Sequence, residues 1–71
     1  MISNEAKMRI LRECAAKAGN DIRKTYDCLC DAVSEAKTPE DRDAAMFAKA
    51  VFGSYVGSAG FATAEDVIRV L

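Results

Sequence analysis

Apolar positions along this chain fall into four helical stripes separated by three short stretches of turn-forming residues. Met8, Leu11, Ala15 and Ala18 recur at spacings of three and four, and Ile10 and Cys14 widen that stripe on one flank. Glu5, Arg9, Glu13 and Lys17 place opposite charges one turn apart on the same segment. Ser3 or Asn4 serves as a cap and Gly19 as a terminator, so the first helix is predicted over residues 4–18. Ile22, Tyr26, Leu29, Val33 and Ala36 then follow a heptad-like seam, predicting a second helix over 21–37 opened by Asn20 or Asp21. A Gly-Asn turn between two such helices predicts an antiparallel hairpin.

Thr38-Pro39-Glu40-Asp41 is the strongest local signal: a capping hydroxyl, a proline at the first helical position, and acids in the first turn. The third helix is predicted over 39–56. Ala44, Phe47, Ala48, Val51, Phe52 and Tyr55 give it the widest apolar face, which predicts that it is central. Three glycines between Gly53 and Gly60 must end it somewhere between Phe52 and Ser58. Thr63-Ala64-Glu65-Asp66 repeats the capping pattern and opens a last helix over 63–71, although Val67-Ile68-Arg69-Val70-Leu71 is rich enough in β-branched residues to resemble a strand. The expected fold is all-α, a bundle of three to four helices forming one domain over residues 1–71. Its predicted core is Met8, Leu11, Ile22, Tyr26, Leu29, Val33, Phe47, Val51, Phe52, Val67 and Ile68.

Composition sharpens this picture. The chain has 71 residues of which 51% are hydrophobic, but alanine accounts for thirteen of those. Placing the larger apolar residues in one core leaves Ile10, Met46, Val56, Phe61, Val70 and Leu71 over. That surplus predicts a homo-oligomer, most simply a two-fold dimer. It also predicts an interaction module, an adaptor or inhibitor that docks on another protein through Ile10, Phe61, Val70 and Leu71. Chains of this size are common among phage and plasmid accessory proteins that block a host protein.

Charge and chemistry exclude more than they suggest. Net charge is −1, with residues 1–24 at +3 and residues 25–71 at −4. Nucleic-acid binding is not expected: a recognition helix starting at Arg23 and Lys24 would turn Asp27, Asp31 and Glu35 toward phosphates. Those three carboxylates read as a solvated face. With no histidine, Ser–His and Cys–His nucleophiles are ruled out and no enzyme is expected. Cys28 and Cys30 project about 200° apart on a helix and no fourth ligand is at hand, so neither a metal nor a cofactor is expected. Cys14 and Cys30 read as small core residues, with Cys28 pointing away from the seam. An odd number of cysteines and no secretory pattern at the start predict free thiols in a reducing, cytoplasmic setting, and no apolar run is long enough for a membrane span.

A second functional reading places a nucleotide or phosphate at the Gly53–Gly60 loop. Backbone N–H groups at Gly57 and the helix start at Thr63 would converge on the anion. Ser54 and Ser58 would add hydroxyls, Tyr55 would stack on a base, and Arg42 and Lys49 would neutralise charge from a neighbouring subunit. The loop matches no established phosphate-binding signature.

Overall fold

The computed structural model describes residues 4–71. Among these residues the chain forms four helices and no strand: α1 (Asn4–Lys17), α2 (Ile22–Glu35), α3 (Pro39–Gly53) and α4 (Ala64–Val70). Ser3, the alternative cap for α1, lies outside the described residues.

Local capping chemistry sets most of the boundaries. At the end of α1, the Asn20 N–H donates to the Ala15 carbonyl at 2.8 Å and the Gly19 N–H to the Ala16 carbonyl at 3.3 Å. This paired arrangement requires left-handed backbone, and φ is +60° at Gly19 and +66° at Asn20. Asp21 then caps α2, its Oδ1 accepting from the Lys24 N–H at 2.8 Å. Thr38 caps α3, accepting from the Asp41 N–H at 3.1 Å, with Pro39 beginning the helix as expected. Thr63 and Asp66 form a reciprocal capping box on α4, which makes residues 64–70 helix despite their β-branched composition.

The expected third helix over 39–56 is three residues too long. After Gly53 the backbone tightens: the Tyr55 N–H bonds the Phe52 carbonyl (3.0 Å) and the Val56 N–H bonds the Gly53 carbonyl (3.3 Å). Gly57 follows with φ +85°, a conformation that no regular helix continues through. Residues 54–63 are therefore connection, not helix.

Nor is α3 the central element. Helix α1 packs substantially on all three others, α2 and α3 pack most extensively on each other, and α4 lies chiefly against α1. The reason is the face that α3 buries. Ala44, Ala45, Ala48 and Phe52 face inward, and Phe47, expected in the core, is 42% exposed. Three alanines give α3 a flat inner surface that lets helix axes approach closely. The rest of the core is Leu11, Cys14, Ala15, Leu29, Ala64 and Val67. Met8, Ile22, Tyr26 and Ile68 pack around it half-buried rather than at its centre. Val33 and Val51 are also half-buried.

Thr25, on no predicted seam, is fully buried. Its hydroxyl donates to the Asp21 carbonyl at 2.6 Å, so burying it leaves no polar group unpaired. No helix among the described residues is long and apolar enough to cross a membrane.

Candidate functional site

The four residues expected to meet a partner differ in exposure. Phe61 is half-buried and turns its ring onto Tyr55, with centroids 5.1 Å apart in an edge-to-face pair. Ile10 and Leu71 are also half-buried against the core. Val70 alone of the four stays outside, at 55% exposure. The leftover residue Val56 is likewise drawn in.

The large apolar groups that remain outside are Met46 (51% exposed) and Phe47 (42%), both on α3, together with Val70. Burying Ala44, Ala45, Ala48 and Phe52 turns Met46 and Phe47 outward on opposite flanks of the helix. On one flank the Lys7 ammonium of α1 sits 5.3 Å from the centre of the Phe47 ring, a cation–π contact. The Lys7 side chain is itself almost covered. On the other flank Met46 borders an open groove of about 580 Å³ between α2 and α3. Tyr26, Val33, Lys49, Ala50, Gly53 and Ser54 complete its walls. At Gly53 a Cβ would stand 3.0 Å from Tyr26 Cε1, so the absence of a side chain lets the tyrosine ring lie on the end of α3. Met46 was legible as surplus; Phe47 was hidden by its place in the expected core.

Within one chain the residues of the nucleotide reading lie apart. Lys49 and Ser54 share the α2–α3 groove, but Ser54 Oγ already donates to the Ala50 carbonyl at 3.2 Å. Arg42 is exposed in the first turn of α3, about 18 Å along the helix axis from Ser54. Tyr55 is held by Phe61, and the Ser58 N–H bonds the Tyr55 carbonyl at 3.1 Å. Gly57 and Ser58 are exposed.

The start of α4 is the decisive place, because an anion there would need free N–H groups. The Ala64 N–H donates to the Asn20 carbonyl (2.9 Å) and the Glu65 N–H to Asn20 Oδ1 (2.8 Å). The Asp66 N–H donates to Thr63 Oγ1 (3.3 Å), while the Thr63 and Ala62 N–H groups both donate to Asp66 Oδ2 (3.2 Å). Hydrogen bonds from the backbone at Thr63 and Ala62 hold the Asp66 carboxyl below its ordinary 3.8, so an anionic group of the protein occupies this position.

The cysteines also depart from expectation. Cys14 is core, as read from the sequence, but it is Cys28 that packs against the core cluster; Cys30 is half-exposed and outside that cluster. Burial and a hydrogen bond with Cys28 push the Cys14 thiol from 9.0 up to about 12. Among the described residues no cluster of three or more cysteine, aspartate or glutamate side chains is placed to hold a metal ion. Comparison with protein-family models, curated proteins and solved structures finds no match to this chain.

Proposed function

We propose that this chain is a small helical interaction module that self-associates, docks on a second protein as an adaptor or inhibitor, and acts by non-covalent binding in a reducing, cytoplasmic setting. The observation that carries the proposal is the outer surface of α3, where Met46 and Phe47 are exposed on a helix that had alanines available to place there. Two large apolar side chains left exposed on one helix of so small a domain favour a contact site there. The α2–α3 groove beside Met46 supplies the concavity that a helix or a second copy would fill. A standard interface takes about 800 Å² from each partner, so it must extend from these two residues into that groove. The nucleotide reading gains no support, because the N–H groups at the start of α4 are already bonded within the chain.

Sedimentation over a concentration series tests the proposal. The wild type is expected to shift above 7.7 kDa as concentration rises, and a Met46→Lys/Phe47→Ser double variant to remain monomeric with unchanged helix content. A wild type that stays at 7.7 kDa at millimolar concentration overturns self-association.

A further inference from the structure

Cys14 and Cys28 belong to different helices of the α1–α2 hairpin yet meet. Cys14 is buried on the inner face of α1, and Cys28 packs from α2 against the same core cluster. A side-chain hydrogen bond joins Cys14 to Cys28. The two differ in access: Cys14 is 4% exposed, whereas Cys28 also lines a surface recess of about 220 Å³ with Lys17, Ala18, Lys24, Asp27 and Asp31. One sulfur is reached from solvent and the other waits behind it.

We propose that Cys14 and Cys28 are an oxidant-reactive dithiol, a modification site that closes to an intramolecular disulfide when a hydroperoxide enters the recess at Cys28. Cys28 gives up its proton and attacks one oxygen of the hydroperoxide. The O–O bond breaks, the leaving oxygen takes up a proton and departs as alcohol, or as water from hydrogen peroxide, and Cys28 becomes a sulfenic acid. The Cys14 sulfur then attacks the Cys28 sulfur and loses its thiol proton. The S–OH bond breaks, and the departing hydroxide takes that proton and leaves as water. Two thiols lose two electrons in total and the hydroperoxide gains two. Access through the recess assigns the first attack to Cys28, and the buried Cys14, its thiol raised by burial, acts second. Cys30 is two residues from Cys28 but on the opposite side of α2, and takes no part. None of this depends on the interaction surface of α3.

The test is hydrogen peroxide on the folded full chain, followed by intact mass and peptide mapping. The expected product is a monomer lighter by about 2 Da, with Cys14 linked to Cys28. Its melting temperature should rise by on the order of 10 °C, because the bridge closes a loop of about fifteen residues. Cys30→Ser should behave like wild type, and Cys28→Ser should form no bridge. A Cys28–Cys30 bridge, a disulfide between two chains, or oxygen added at Cys28 with Cys14 left reduced would each overturn the proposal. The wild-type map decides between these outcomes even if a variant folds poorly.

Discussion

Two connections in this molecule contain glycine with positive φ, and they do different things. The Gly53–Gly60 stretch is long, has Gly57 at φ +85° and Gly60 at φ +97°, and presents open space around both. It draws attention in the sequence because it looks built to receive something. The Gly19-Asn20 turn is two residues long and looks like a mere reversal. Yet Asn20 accepts two hydrogen bonds from the start of α4, one at its carbonyl and one at its side chain. The long connection holds its own backbone, while the short one organises a helix that begins 44 residues later in the chain. A connection's importance follows from where its acceptors point, not from how many glycines it has.

Substitutions can break this contrast. Asn20→Ala should be the most damaging, at about 2 kcal/mol by urea unfolding, since alanine resists left-handed backbone and leaves the Glu65 N–H without Oδ1. Asn20→Gly restores the backbone and should recover about half of that loss; equal damage from both would mean that φ plays no part. Gly57→Ala should cost less, about 1 kcal/mol, because its penalty is conformational only and a new Cβ meets nothing within 4 Å. If Gly57→Ala proves the worse of the two, the roles assigned to the connections are reversed.

The smallest effect is the pH response at the α4 cap. The folded Asp66 carboxyl ionises below 3.8, so its contribution is present above about pH 4 and is lost as pH falls through the lowered folded value. Replacing Asp66 with asparagine should flatten the acid arm of the stability curve below pH 4. An unchanged arm would show that the capping box adds nothing through its charge.

What was legible in the sequence was local. Asp21, Thr38-Pro39 and Thr63 with Asp66 each cap a helix within three residues of themselves, and all three caps form. What was not legible was relative. Whether α3 turns Phe47 or Ala45 inward depends on how closely α1 and α2 approach, and alanine carries too little hydrophobic weight to announce itself as the buried choice. That ambiguity hid half of the candidate surface. The bond from Glu65 to Asn20 spans 45 positions, so no reading of either neighbourhood finds it. Cys28 is a similar case, placed by the rotation of α2 against α1 rather than by its own spacing.

The Asn20 acceptors also bear on the order in which the chain can fold. A seven-residue helix has too few turns to nucleate in isolation, and α4 must borrow its first contacts from a turn already made. On the ribosome that order matches the direction of synthesis: the α1–α2 turn emerges first and stands ready before Ala64 and Glu65 exist. Helix α4 thus meets a prepared template, and exchange protection at those two amides reports its docking on that turn.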